Sequence, residues 1–219
     1  MDQERSAPLE PPQESWRDVG RKLFREGANT VTGGVAGTLF DEIIRPAVVL
    51  RRQEFEAELC ERVNRLIKLG RTTEESLQRH EQFITTYTEA TLAAVRTHQR
   101  EKRDSLRNAV LNAGLPGAPD ETRQQLYLRW IDELTPLHVR VLRACQNENY
   151  HPGRLEGLLN RFDEIRDLGL VVLFENDLVS RNLIKPNRPL GVAHLNPGER
   201  WISELGADFL SFIRDPLDD

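Results

Sequence analysis

Apolar positions recur at helical spacing along most of the chain. Trp16, Val19, Leu23 and Phe24 predict a short amphipathic helix over 16–26, opened by Ser15 as cap and Asp18 near its positive end. From Val48 to Leu69, the positions Val49, Arg52, Phe55, Leu59, Val63, Leu66 and Ile67 form one stripe, and Gly70 supplies a stop. Thr72 with Glu75 three residues on reads as a capping box. A single long helix is expected from Thr73 to about Ala113, its inner side running through Leu77, Ile84, Tyr87, Thr91, Val95, His98, Lys102, Leu106, Ala109, Val110 and Ala113. At 1.5 Å per residue it would approach roughly 60 Å, the length of an elongated bundle or a dimer. Gly114, Pro116, Gly117 and Pro119 break it.

The pattern then shortens. Asp120 caps a helix carrying Leu126, Tyr127, Trp130 and Ile131. Leu134-Thr135-Pro136 reads as staple, cap and first-turn proline for a helix from Leu137 to about Cys145. Two more short helices are expected, Arg154–Asp167 and about Val171–Asn182. Residues 184–195, with prolines and a glycine between apolar positions, read as a hairpin or wing. Asn196-Pro197-Gly198-Glu199 reads as the start of a last helix with Ile202, Leu205, Phe209, Phe212 and Ile213 on its apolar face. Three short helices, a hairpin and a closing helix make a winged-helix arrangement. The expected fold is therefore mostly α, an elongated helical N-terminal region (15–114) and a small winged-helix-like C-terminal module (120–219), after a disordered tail at 1–14.

Charge sharpens this picture. The net charge of −5 is not spread evenly: residues 1–119 carry 18 basic and 18 acidic side chains, residues 120–219 carry 12 and 17. The acidic surplus falls on the module whose fold suggests DNA, whereas domains that bind phosphate backbones are usually basic. Arg181, Lys185, Arg188 and Arg200 could form a small basic patch at the third helix and wing, read either as a solvated face or as a candidate contact for nucleic acid or a protein partner. The basic run Arg96, Arg100, Lys102, Arg103, Arg107 reads as salt-bridged helix surface spread around its axis. Residues 27–40 hold no charge, and Gly33 and Gly37, four apart, share one helical face; the stretch reads as a small-residue helix packed inside the protein or, around Gly33, Val35 and Gly37, as a candidate membrane or oligomer segment too short to span a bilayer. No apolar run of 18 residues and no secretory leader pattern is seen, and two cysteines suit a reducing compartment, so the expected location is the cytoplasm.

No catalytic constellation emerges. His80, His98, His138, His151 and His194 never stand three or four apart, and His98 with Glu101 is two ligands short of a metal site. GGVAG at 33–37 lacks the Lys-Ser/Thr and preceding strand of a phosphate loop, and no G-x-S-x-G is present. No enzyme activity, cofactor or metal is expected.

The run EKRDSLRNAVLNAG, a break containing proline and aspartate, and LRWIDELTPLHVRVL resemble a pattern in uncharacterised bacterial helical proteins. They are distantly similar to the abortive-infection Abi-alpha group, over roughly residues 95–213 in layout. That resemblance implies a helical body ahead of a winged-helix-like end, a role in bacterial or phage-linked defence, and a non-enzymatic mechanism. It carries over no functional residue. The expected function is that of an interaction or regulatory protein whose partner is another protein or a second copy. A DNA-binding regulator and a membrane-acting effector are the alternatives.

Overall fold

The computed structural model of the chain describes residues 44–146, 168–185 and 200–218, and these are mostly helical. The described helices are α1 (Arg45–Lys68), α2 (Glu74–Arg79), α3 (Glu81–Arg96), α4 (Arg100–Ala113), α5 (Glu121–Glu133), α6 (Pro136–Ala144), α7 (Leu168–Ser180) and α8 (Glu204–Phe212). The chain divides into two compact units, Met1–Ala118 with Pro216–Asp219, and Pro119–Asp215. The 1–14 tail, the helix expected at 16–26, the stretch holding Gly33, Val35 and Gly37, the helix at 154–167, Arg188 and the cap at 196–199 all lie outside the described residues. None of the described helices is long and apolar enough to cross a membrane.

In the first unit, α1 buries Phe55, Leu59, Val63 and Leu66, the expected stripe. Val49, at its start, is instead exposed. α1, α3 and α4 pack on one another, and α3 and α4 bury Ala90, Ala93, Ala94, Leu106, Ala109, Val110 and Ala113. The alanines let helix backbones approach closely. Arg51 donates to the Val95 carbonyl and Tyr87 to Glu56, so rising numbers on α1 meet falling numbers on α3 and the two run antiparallel. Arg103 pairs with Glu54 and Arg107 with Glu58, in step, so α4 runs parallel to α1. Pro216 returns to this unit, its carbonyl accepting a hydrogen bond from Arg71.

The single long helix is corrected to three. His80 (φ −93°, ψ 91°) separates α2 from α3, and Thr97 (φ −107°, ψ 139°) through Gln99 separates α3 from α4. No proline or glycine forces either break. The Thr97 hydroxyl accepts the Gln99 N–H at 3.1 Å, offering the backbone a local alternative to the helical ladder. Folding α3 back on α4 then buries both apolar stripes within one chain, which an isolated rod cannot do. The expected box at Thr72 and Glu75 becomes a simple cap one residue later. Thr73, not Thr72, caps α2 through the Ser76 N–H at 3.2 Å, while Thr72 is buried and donates to the Gly114 carbonyl. Gly70 ends α1 at φ +68°, as a left-handed stop requires.

In the second unit, Asp120 caps α5 through the Arg123 N–H. Tyr127 and Trp130 of α5 and Phe209 and Phe212 of α8 form an aromatic cluster with centroids 5.5–5.6 Å apart, mostly tilted or edge-on, the geometry favoured by ring quadrupoles. α6 packs on α7 and on α8. Beyond α7 the chain turns through Asn182 in the left-handed region (φ 58°) two residues past the helix, so the expected helix end at Asn182 shortens to Ser180. Ile184 then forms an antiparallel bridge with Ile202. The N–H of Lys185 donates to Trp201, that of Ser203 to Leu183 and that of Ile202 to Cys145. Held between these two neighbours, Ile202 is not helical. The last helix therefore starts at Glu204, capped by Ser203 through the Gly206 N–H at 2.9 Å, rather than at the proline at 197.

Candidate functional site

Three of the four basic residues singled out from the sequence fall among the described residues, all in the second unit, and the structure does not leave them as one open patch. Arg181 follows the last turn of α7. Its Nη1 donates to Glu133 at 2.5 Å and its Nε to Asp177 at 3.1 Å. Burial opposes the charge of this guanidinium, but the hydrogen bonds from Glu133 and Asp177 outweigh it and hold it above the ordinary arginine range. An arginine held by two carboxylates on its own unit presents little net positive charge outward. Lys185 is half-buried beside the Ile184–Ile202 bridge, and Arg200 is exposed on the other arm.

Asp177 also joins α7 to α6. Its Oδ2 lies 3.5 Å from Nε2 of His138, a buried ring in a T-shaped contact with Phe174 at a centroid distance of 4.2 Å. His138 Nδ1 accepts the Thr135 N–H at 3.2 Å and stands 2.8 Å from Thr135 Oγ1, which in turn accepts the His138 N–H. Spacing of histidines in the sequence could not reveal this set, because its members come from two helices and a cap.

Thr135, His138 and Asp177 thus line up in the order hydroxyl, imidazole, carboxylate. The chemistry is nevertheless that of a helix start. The Nδ1 lone pair that would take a proton from the hydroxyl already receives the Thr135 amide, and the hydroxyl oxygen already serves the His138 amide. Together they are a capping box with histidine in the place usually held by glutamate. With Nδ1 as acceptor, the neutral ring carries its proton on Nε2, toward Asp177.

Comparison with family models, with curated proteins and with solved structures gives no match.

The site must therefore be read from its own surface. Helix α7 displays large apolar side chains near its start: Leu170, Val172 and Leu173 are 45%, 46% and 60% exposed. Later in the helix, Phe174 and Leu178 turn inward, Leu178 fully buried. In a linear pattern these leucines look like core. Cys145, at the end of α6, is buried, and burial with a smaller contribution from Glu175 pushes its thiol up to about 12, so it stays protonated and inert. Cys60 in the first unit is also pushed up by burial. Among the described residues no group of His, Cys, Asp or Glu is arranged to hold a metal ion.

Proposed function

We propose that the protein is a non-enzymatic interaction protein whose C-terminal unit is a winged-helix-like module used for contact with another protein. Support for the winged-helix reading lies in the order of α6, α7, an antiparallel pair at Ile184 and Ile202, a link from Ile202 back to Cys145, and a closing helix. The pair brackets the segment expected to form the wing. The observation that carries the functional reading is the surface of α7, the third helix of such a module. Reading DNA asks this helix for outward Arg, Lys, Asn or Gln near its start. It offers Leu170, Val172 and Leu173 there, while Arg181 is bound to Glu133 and Asp177. With an acidic surplus in residues 120–219, the surface complements an apolar protein face rimmed by cations, not a phosphate backbone. The likeness to the Abi-alpha group extends the proposal to a role in bacterial defence against phage, with the partner as trigger or target.

Affinity purification from the native host with wild-type protein, Leu173→Asp and Arg129→Glu tests this. The expected result is one defined partner, retained by wild type and Arg129→Glu, lost with Leu173→Asp at unchanged Tm, and carrying a basic rim. An unchanged set of bound proteins with Leu173→Asp overturns it. So does a shift of duplex DNA at moderate salt that Arg200→Ala abolishes.

A further inference from the structure

Within the first unit, α1 and α4 border a groove of about 600 Å³. Helical spacing decides what faces it. On α4, Arg100, Arg103 and Arg107 follow one another at three and four residues and share a side, so part of the basic run expected to be scattered around the helix converges. On α1, Arg62, Arg65 and Lys68 follow one another at intervals of three and line the same groove. The carboxylates in the lining are Glu58, Glu61 and Asp104.

Cations therefore outnumber carboxylates in the groove, in a chain whose overall charge is negative. Arg107 is buried and spent internally, clamped by Glu58 and by Asp104 at 2.5 Å, although its Nε is buried with no hydrogen-bond partner. Arg103 leans out to Glu54 at 3.5 Å. Arg65, Lys68 and Arg100 are exposed and hold no carboxylate among the described residues. Arg100 is also the first residue of α4, whose opening turn receives no side-chain cap, so the positive end of that helix lies at the same groove.

We propose that this groove binds a compact anion bearing several phosphates, of the size of a nucleoside triphosphate. Its volume falls in the range of small-molecule sites. Guanidinium forks and a lysine from the two helices can contact successive phosphates, with Arg100 on α4 and Arg65 and Lys68 on α1. Glu58, Glu61 and Asp104 disfavour a continuous nucleic-acid backbone, which would bring phosphates against each carboxylate in turn. Leu217 adds an apolar surface on which the non-phosphate part of the ligand can rest. The site lies in the first unit and does not depend on the partner contact proposed for the second.

Calorimetric titration of the full chain with inorganic tripolyphosphate, with ATP and GTP, and with a single-stranded oligonucleotide tests the proposal. Saturable triphosphate binding is expected, weaker at higher salt. Arg100→Glu and Lys68→Glu should each weaken it about tenfold or more at unchanged Tm, since each removes a charge-assisted contact and adds a repulsion. Arg129→Glu, an exposed cation of the other unit, should leave it unchanged. Tighter binding of a nucleotide than of tripolyphosphate assigns the remaining contacts to the base or sugar, and equal binding assigns recognition to the phosphates alone. No triphosphate binding, binding indifferent to Arg100→Glu and Lys68→Glu, or an oligonucleotide that binds more tightly than any triphosphate overturns it.

Discussion

At the scale of single residues, two positions in the second unit have consequences that composition does not disclose. Gly206 stands in the first turn of α8, where alanine is ordinarily the better helix former. A Cβ there would collide with the Leu183 carbonyl oxygen and meet the Ile202 side chain, and Leu183 already accepts hydrogen bonds from the Ser203 N–H and hydroxyl. Gly206→Ala should therefore destabilise the protein by about 2–3 kcal/mol despite its helix propensity, seen as a fall in the urea midpoint. Cys145 makes a pH prediction. Its folded pKa is pushed up to about 12 from 9.0, so the unfolded chain releases the proton first as pH rises. The stability from the buried neutral thiol is complete below pH 9 and is lost as pH rises from 9 toward 12. Half-buried Tyr87 and buried Tyr127, both raised chiefly by desolvation, add to the same alkaline loss. Cys145→Ala should flatten the pH 9–12 limb of stability, and a limb as steep as wild type would count against the burial argument.

At the scale of elements, helix starts and stops were the most legible features, because their chemistry is local. Gly70, Asp120 and Thr135-Pro136 act as their sequence context announces. What local pattern cannot carry is competition between elements. Nothing in 73–113 spells a break, yet α3 folds back on α4 because both stripes find a partner that way. Ile202 has helical spacing with Phe209 but is claimed by Ile184 and Cys145. The α6 cap tests how far local chemistry goes. Thr135→Ala removes the oxygen that serves the His138 amide and should cost about 1 kcal/mol. His138→Ala should cost more, since it also vacates a buried ring site against Phe174 and deprives Asp177 of a neighbour. Equal midpoints for wild type and Thr135→Ala in urea denaturation would show that tertiary packing, not the cap, holds this helix.

At the scale of the whole molecule, the sequence showed where the acidic surplus lies but not where the cations go. Arg100, Arg103 and Arg107 were visible as a basic run, and their convergence with Arg62, Arg65 and Lys68 depends on α4 running parallel to α1, a relation set by the unforeseen turn at 97–99. Connectivity between the units was equally hidden. The first unit is discontinuous in sequence, for Pro216–Asp219 belongs with Met1–Ala118. Pro216 is buried there and accepts a charged hydrogen bond from Arg71, while Leu217 lines the cationic groove. A chain ending at Asp215 would leave Arg71 without that acceptor and expose apolar surface, although the region removed is short and its described residues, 216–218, belong to no helix. Such a truncation should lower stability by about 1.5–3 kcal/mol, the range for a hydrogen bond to a charged group. Arg71→Lys in the full-length chain, which keeps the charge but offers a different donor geometry, should show only part of that loss. If the truncated chain unfolded at the wild-type temperature, the last residues would be a passive tail and the groove would lose one wall without consequence.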